Sequence, residues 1–279
     1  MNYILRRNKL GKATCEELSR RLVNPVEVIT TDAPIPNTNG WIFRWGTTAT
    51  VGTDKIVNSS AAIGWAADKK TSRLDMQAKG VPVPQSYEIN VGASLPKALP
   101  TGKLFVGRKP YHVQGRYLVS GTYNQCFAKL NKWGEGGYIS EFIDKVTEYR
   151  VFVFLGRVLW VAQKTPGNPK DVAWNVAKGG HFANVTWADW PIRAIEACVQ
   201  AMNVGGLDFG GVDVMVDADG NVYILEINCG PLLESEYRQH CVARGFDWVI
   251  GRDAKETLEP YNRRTDYRRW IHPCLYSNR

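Results

Sequence analysis

Cysteine pairs and long apolar runs are missing from this sequence. None of its six cysteines stands in a C-x-x-C pair, which argues against a zinc site and favours reduced thiols over a disulfide framework. No apolar stretch approaches the roughly 20 residues that a membrane-spanning helix needs, and residues 1–7 lack the apolar core of a signal peptide. Internal repeats and low-complexity tracts are absent too. We therefore expect a globular, cytoplasmic protein without a membrane partner.

Acidic residues are the scarcer charged class. The chain has 35 Lys and Arg against 27 Asp and Glu, a formal net charge of +8. Residues 261–279 hold part of the excess, with five arginines, one acid and interleaved aromatic residues. Such a segment suits a polyanion through phosphate contact and stacking. We favour the simpler interpretation that it docks on the protein, with its aromatic rings in the core and its arginines in solvent.

The length of 279 residues suffices for one large or two to three small packed units. The amino-terminal part alternates short strands and helices, and Thr14 and Glu17 form the capping-box pattern of a helix start. One long helical pattern covers residues 61–79. A further helix of about ten residues is expected between Pro191 and Gly205, because Pro is typical of a helix start and Gly of its end.

The most informative stretch is a candidate β-hairpin. Residues 212–216 and 222–227 are β-branched and apolar, and the Asp-Gly pair between them is typical of a tight hairpin turn. Folding about this turn brings Asp213 alongside Glu226 and Asn228. Side chains repeat with period two along a strand, so Glu226 and Asn228 share a face. The sequence therefore predicts three oxygen-bearing side chains at one place.

Those three side chains have the composition of a hard-cation site. Carboxylates in an apolar sheet are costly unless they are paired or bind a metal, and two acids plus an amide oxygen suit Mg²⁺. Asn228 also runs directly into a Cys-Gly-Pro break, as expected where a strand delivers side chains to a site. The alternative is a solvent-facing hairpin with two ordinary surface acids.

This hairpin resembles the metal hairpin of the ATP-grasp superfamily of carboxylate–amine ligases, which reads Asp, a turn, Glu-x-Asn and a Gly or Pro break. The resemblance implies an α+β ATP-grasp fold, in which two α+β lobes clamp ATP, preceded here by a small α/β unit. It also implies that Asp213, Glu226 and Asn228 hold Mg²⁺, with Mn²⁺ as a possible substitute.

Upstream residues resemble the family's phosphate-binding parts. Lys69 follows an Asp at the position of the phosphate-contacting lysine, and Lys109 ends a strand at the position of the second nucleotide lysine. The stretch after Lys109 takes the place of the glycine-rich phosphate loop, yet Gly115 is its single glycine. The side chains of His112 or Gln114 would then do part of the work of backbone N–H groups.

The adenosine part of ATP has candidate partners in the following segment. Glu141, Phe142 and Ile143 resemble the family's hinge, whose backbone groups contact the adenine edge while apolar side chains wall the base. Glu148 stands at the position of the acid that binds the ribose hydroxyls. Each of these roles is implied by the resemblance.

Three residues are implied in catalysis: Arg150, Lys164 and Asn175. Arg150 and Lys164 would face the reacting phosphate and compensate developing charge, and a structural role in buried ion pairs is the alternative for both. Asn175 lies in an irregular segment that would cover the acyl-phosphate, as would His181. In the amino-terminal unit, Arg44 is a candidate anchor for a substrate carboxylate.

The expected domain organisation follows from these positions. Residues 1–60 form the small α/β unit and 61–279 the ATP-grasp domain. Within the latter we expect a small lobe at 101–143, a large lobe with the metal hairpin at 144–250, and a basic tail at 251–279. The implied reaction is amide formation: a carboxylate is activated by ATP as an acyl-phosphate, and an amine then displaces phosphate.

The substrates are less defined than the reaction. The core resembles members that join an amino acid to a peptide or protein, and the positive charge favours an acidic acceptor. Modified nucleic acid is a less favoured acceptor, which the same charge would suit. Two other classes stay open: a non-catalytic ATP-binding regulatory module, and a basic nucleic-acid binder that contains a metal hairpin. The sequence does not predict the oligomeric state.

Overall fold

The computed structural model describes residues 1–7, 11–95, 102–111, 117–168, 171–172, 174, 179–262 and 266–276. These residues form six α-helices and three β-sheets, which confirms the α+β class. All six cysteines are buried free thiols. In these ranges we find no helix with both the length and the apolar character to cross a membrane.

The amino-terminal unit is a parallel sheet of four strands in the order β2-β1-β3-β4. Its strands are β1 (Asn2–Arg6), β2 (Val26–Thr30), β3 (Ile42–Trp45) and β4 (Ile56–Val57), and helix α1 spans Lys12–Arg21. One face of the sheet packs Ile4, Phe43 and Trp45 into a core shared with the rest of the chain. The unit therefore does not stand alone.

The predicted start of α1 is wrong. The helix begins at Lys12, after Gly11 in the left-handed conformation at φ 73°, and no side chain caps it. Thr14 is buried, and its Oγ1 accepts a hydrogen bond from the Leu233 N–H at 3.4 Å. A tertiary contact thus uses the hydroxyl that local sequence assigned to a cap.

The long helix predicted over 61–79 is two helices, α2 (Ser60–Ala67) and α3 (Lys69–Ala78). Asp68 ends the first and caps the second: its backbone is extended, and its Oδ1 accepts from the N–H groups of Lys70 (3.1 Å) and Thr71 (3.0 Å). Aspartate is a strong N-cap because its carboxylate satisfies orphan helix donors. The break starts a new helix axis at Lys69.

A small antiparallel sheet has the order β5-β8-β6-β7. Its strands are β5 (Ser86–Ile89), β6 (Phe105–Arg108), β7 (Leu118–Gly121) and β8 (Gly137–Glu141), and helix α4 spans Tyr123–Trp133. Thr122 and Gln125 form a complete capping box at the start of α4. Phe105, Phe127 and Ile139 belong to the separate core between this sheet and the helix.

A large antiparallel sheet has the order β11-β10-β9-β12-β13. Its strands are β9 (Lys145–Phe154), β10 (Arg157–Thr165), β11 (His181–Asn184), β12 (Phe209–Asp217) and β13 (Val222–Asn228), with helices α5 (Ile192–Gly205) and α6 (Glu236–Arg252). Val151 and Val212 belong to a core with α2 and α5, whereas Phe152 and Phe154 belong to one with α6 and the amino-terminal unit. Helix α5 runs through Gly205, and Gly206 ends it.

The hairpin of β12 and β13 has the predicted register. Asp213 pairs directly with Glu226, and the turn between the strands contains Gly220 at φ 79°. A β-bulge follows, because Val214 pairs with Ile224 and leaves Leu225 unpaired. The buried Arg73 of α3 donates to the carbonyls of Ile224 (2.6 Å) and Leu225 (2.5 Å). Helix α3 therefore holds the bulge that precedes Glu226.

The basic tail docks on the β9–β10 turn as the simpler interpretation expected, within the residues described there. The Val158 N–H donates to the Trp270 carbonyl (2.7 Å), and the His272 N–H donates to the Val158 carbonyl (3.0 Å). Trp270 and Ile271 are buried. Arg157 lies over the Tyr261 ring at 3.9 Å. Arg263, Arg264 and Arg279 lie outside the described residues.

His272 makes the docking of this tail sensitive to pH. Its ring is fully buried against Phe154 and Trp248, and its Nδ1 accepts from the Cys274 N–H at 3.2 Å. Burial, with a smaller effect of Arg157, lowers the pKa of His272 to about 3. The unfolded chain, whose histidine pKa is about 6.5, binds a proton there before the folded protein does.

We expect this histidine to reduce stability as pH falls from about 6.5 towards 3, by about 1.4 kcal/mol per pH unit in that window. His272→Asn keeps an acceptor for the Cys274 N–H and removes the titration. Urea unfolding at pH 7 and pH 5 measures the free energy of unfolding of both proteins. The wild type should lose more of it than the variant, and equal losses would contradict the assignment.

Candidate active site

One face of the large sheet carries a row of opposite charges across four neighbouring strands. Lys164 pairs with Glu148 between β10 and β9, Arg150 pairs with Asp213 between β9 and β12, and Asp213 pairs with Glu226 between β12 and β13. Directly opposed residues lie side by side on the same face of a sheet. The structure therefore brings together five of the predicted site residues, which we call the charged row.

Arg150 and Asp213 form the central pair of the charged row. Arg150 Nε lies 2.6 Å from Asp213 Oδ1, and Nη2 lies 2.8 Å from Oδ2. Burial alone would raise the pKa of Asp213, but Arg150 and then Lys164 lower it below its usual value. Burial likewise opposes the charge of Arg150, yet Asp213 raises the pKa of Arg150. Both groups are therefore ionised. Gly211 leaves room, because a Cβ there would lie 3.3 Å from Arg150 Cδ.

Glu148 is the second carboxylate of the charged row, and it is 2% exposed. Lys145 Nζ lies 2.5 Å from its Oε2, and Lys164 donates a short hydrogen bond to its Oε1. Burial lowers the pKa of Lys145, whereas Asp213 and Glu148 outweigh burial and raise the pKa of Lys164. The predicted contact of Glu148 with ribose therefore requires a lysine to release one oxygen.

The third carboxylate, Glu226, lies at the open end of the charged row. Its Oε2 is 3.7 Å from Lys69 Nζ, and its Oε1 accepts from Asn228 Nδ2 at 3.2 Å. Lys69 also donates to the Ile227 carbonyl at 3.2 Å. The first residue of α3 therefore reaches the end of β13. With Asp213 opposite, the predicted metal ligands and the first predicted phosphate lysine are neighbours.

The donors at this end fit a magnesium ion. Glu226, Asn228 and Asp213 supply oxygen atoms alone, and Mg²⁺ takes one or two protein carboxylates while it keeps waters or phosphate oxygens. Glu226 is partly open, with 29% of its side chain exposed. Across the described ranges, no three His, Cys, Asp or Glu side chains cluster as a metal cage. The geometry thus suits a cation shared with a phosphate ligand.

Other predicted residues lie apart from the charged row, in or beside the small sheet. Lys109 pairs with Glu135 at 2.6 Å, and its Nζ lies over the Tyr117 ring at 4.3 Å. In this arrangement its charge is directed at the small lobe's own side chains. Gly115 and Asn175 lie outside the described residues, as do His112 and Gln114.

The predicted hinge borders an open pocket of about 490 Å³. Lys103, Leu104, Glu141, Phe142 and Asp144 line it. Glu141 pairs with Lys103 at 2.9 Å, and the Phe142 N–H donates to the Leu104 carbonyl at 2.9 Å. The Phe142 amide is therefore engaged within the sheet, and it does not supply the free donor that the hinge prediction assigned to this segment.

The amino-terminal unit contacts the segment that follows Asn228. A Cβ on Gly230 would lie 3.2 Å from the Gly46 nitrogen, so these two backbones touch. Arg44, predicted as a carboxylate anchor, is 3% exposed and donates to the Ala49 carbonyl. Its guanidinium is thus held inside the unit. His181 is exposed at the start of the edge strand β11.

Sequence reasoning missed four residues that complete this face: Lys145, Arg73, Phe182 and Arg238. Lys145 stands three residues before Glu148, a spacing that could have indicated the pair. Arg73 stands four residues after Lys69, on the same side of α3. Phe182 and Arg238 carried no local signal, because both reach the charged row through tertiary packing alone.

Comparison of the sequence with protein-family models gives one match, over residues 93–244, to an ATP-grasp domain family, the third family of its clade. No curated protein sequence matches the chain.

Several solved structures resemble the fold. D-cycloserine synthetase DcsG superposes with a TM-score of 0.65 at 17% identity, over 90% of this chain and 100% of that one. D-alanine–D-alanine ligase from Bacillus anthracis, complexed with ATP, gives 0.64 at 16%, over 91% and 95%. ATP-grasp ligase PsnB, complexed with a phosphomimetic variant of its minimal precursor, Mg and ADP, gives 0.59 at 14%, over 87% and 96%. At these identities the likeness shows the fold.

The two carboxylates of the hairpin should differ in their effect on stability. Asp213→Asn leaves the buried Arg150 short of its counter-charge, so we expect a loss of about 3 kcal/mol of unfolding free energy. Glu226→Gln should cost less than about 1 kcal/mol, since its partner contact is long and partly exposed. Urea denaturation measures both. Equal losses would show that Asp213 does not anchor the charged row.

Proposed function

Since this chain belongs to the ATP-grasp domain family whose model it matches, we propose that it is an ATP- and Mg²⁺-dependent ligase that joins a carboxylate to an amine. The observation that carries the proposal is the charged row, in which Asp213 and Glu226 are adjacent, Asn228 follows, and cations flank both carboxylates. The cytoplasmic location and the domain boundaries predicted from the sequence stay predictions.

The proposed reaction has two steps. A carboxylate oxygen of the first substrate attacks the γ-phosphorus of ATP, and the bond from that phosphorus to the β,γ-bridging oxygen breaks, which releases ADP. The amine nitrogen of the second substrate then attacks the carbonyl carbon of the acyl-phosphate. Phosphate leaves, the nitrogen loses a proton, and an amide remains. No protein nucleophile is needed.

The electrostatics of the charged row support phosphate transfer at this place. Three carboxylates meet four cations, an excess of one positive charge: Asp213, Glu148 and Glu226 against Lys69, Lys145, Arg150 and Lys164. These cations are held by ion pairs before any nucleotide arrives, so little reorganisation is needed when charge moves onto ADP. Arg150 and Lys164 would compensate the transferring phosphate, and Lys69 would contact a phosphate nearer the open end.

The metal and nucleotide assignments follow the same geometry. Asp213, Glu226 and Asn228 would hold Mg²⁺, which when bound neutralises and orients phosphate oxygens. The pocket beside Glu141 and Phe142 would take the adenine. We assign its polar edge to backbone groups other than the engaged Phe142 N–H. Ile143, Glu148, Lys109, Gly115 and Asn175 keep their predicted roles as proposals.

The substrate class is proposed from the neighbours. PsnB and the macrocyclase MdnC from Microcystis aeruginosa MRC were solved with precursor peptides, and a third neighbour is a D-alanine–D-alanine ligase. We propose that this chain joins an amino acid to a peptide or protein. Its net charge of +8 favours an acidic acceptor. A non-catalytic ATP-binding module and a ligase for modified nucleic acid remain the rival outcomes of the test.

Nucleotide and metal binding should be visible as thermal stabilisation. A ligand that binds only the folded state adds about 2.7 kcal/mol of stability at 100 times its Kd. We expect Mg²⁺ with ADP to raise the melting temperature, EDTA to remove most of that gain, and Glu226→Gln to reduce it. Glu88→Gln, at a surface ion pair with Lys70, is the matched control. An equal gain in both variants would contradict the metal assignment.

Turnover should appear as ADP release with a condensed product. The assay supplies ATP, Mg²⁺, pooled amino acids and acidic peptides, and mass spectrometry then searches for a mass gain equal to one amino acid less water. We expect Glu226→Gln to lose at least about tenfold in rate and Glu88→Gln to keep wild-type activity. Nucleotide binding without any product would favour the regulatory module.

A further inference from the structure

Arg238 is a buried cation without an ion-pair partner. It is 3% exposed, on the first turn of α6, and burial lowers its pKa. Its Nε donates to Asn184 Oδ1 (2.8 Å) and its Nη2 to the Phe182 carbonyl (3.0 Å). No described Asp or Glu lies within ion-pair distance of it, and the residues outside the described ranges include neither acid. Glu234 raises the pKa from a longer distance, but burial outweighs it.

The same guanidinium faces the charged row. The ring of Phe182, on edge strand β11, lies 4.7 Å from Arg150 Cζ, 5.4 Å from Lys164 Nζ and 5.6 Å from Arg238 Cζ. The charge of Arg150 further lowers the pKa of Arg238. Three cations thus converge on one ring. Arg150 and Lys164 each have a carboxylate, whereas Arg238 has two neutral acceptors.

Such an arrangement is costly unless an anion completes it. Removing a cation from water without a paired counter-charge is unfavourable, and neighbouring cations add repulsion. Helix α6 has 17 residues, and its amino terminus, capped by Ser235, adds positive potential at this place. Asn184 and the Phe182 carbonyl hold the guanidinium plane in one orientation. Within the described chain, the remaining nitrogen Nη1 makes no hydrogen bond, so one corner of the fork is open to a ligand.

The sheet order indicates which anion fits. The metal ligands lie on β12 and β13, Arg150 and Lys164 on β9 and β10, and Arg238 reaches the face from the side of β11. A phosphate group between the metal ligands and Arg150 would leave Arg238 on its far side. In a transfer to a carboxylate, the far side is where the attacking group must stand.

We propose that Arg238 binds the carboxylate that is to be phosphorylated. This inference rests on the proposed function and names the residue that recognises its acyl donor. The guanidinium donates to one carboxylate oxygen and leaves the other to attack the γ-phosphorus. Its charge offsets the repulsion between a carboxylate and the phosphate oxygens. The substrate class that it selects is a molecule with a free carboxylate and room for the Phe182 edge.

The variants separate binding from folding. Asn184→Asp places an internal carboxylate on Arg238 Nε, keeps the shape of the side chain, and should compete with a substrate carboxylate. Arg238→Lys keeps the charge and removes the fork. Arg252→Ala is the matched control: Arg252 lies on the same helix, is exposed, and stacks over Trp248 at 3.7 Å.

Acetate is the probe for binding, because it is the minimal carboxylate. Protein loaded with Mg²⁺ and a non-hydrolysable ATP analogue is titrated with sodium acetate, with sodium chloride at equal ionic strength as reference. NMR follows the arginine Nε–Hε signals, and the signal lost in Arg238→Lys identifies Arg238. We expect a saturable acetate-specific shift of this signal in the wild type and in Arg252→Ala, and none in Asn184→Asp. No saturable shift, or an equal shift with chloride, overturns the proposal.

Kinetics provide an independent readout once a condensed product is known. Arg238→Lys and Asn184→Asp should raise the KM for the carboxylate substrate by about tenfold or more, with the KM for ATP changed less than about threefold. Equal changes in both KM values would overturn the proposal, since they would indicate damage to the whole site. If no product forms but acetate shifts the Arg238 signal, the ligase function fails while the carboxylate site stands.

Discussion

The pairing of Arg150 with Asp213 is the constraint on which this structure depends. Both charges lie on a sheet whose surroundings are apolar, and each alone would carry a large desolvation penalty. Their pairing across β9 and β12 makes the central strands of the sheet a fixed platform for ionised groups. The face is divided accordingly: Phe152 and Phe154 are covered by α6 and the amino-terminal unit, and the charges occupy the end beyond them.

Several features of the fold make sense as supports of this charged row. The helix break at Asp68 starts α3 at Lys69, which reaches Glu226, and Arg73 on the same helix holds the bulge beside it. Helix α6 supplies Arg238, and edge strand β11 supplies the ring of Phe182 under three cations. Preorganised charges of this kind suit chemistry in which negative charge moves and the protein forms no covalent bond.

Local reasoning succeeded where the signal lay within one short segment. The hairpin register followed from an Asp-Gly turn between apolar runs, because turn and strands are contiguous and side chains alternate with period two. It failed where distant parts of the chain compete for the same group. Thr14 was predicted to cap its own helix, but its hydroxyl contacts Leu233 instead. The pattern over residues 61–79 was continuous, yet Asp68 caps a second helix within it.

The sequence by itself determined the fold family, the hairpin and the identity of most residues in the charged row, because these depend on composition and spacing along short stretches. The tertiary structure alone decided which charges meet. Arg150 pairs with Asp213 from 63 positions away, and Arg238 approaches Phe182 from 56. Contacts of that separation arise from sheet order and helix packing, and a hydrophobic pattern along the chain contains no term for either.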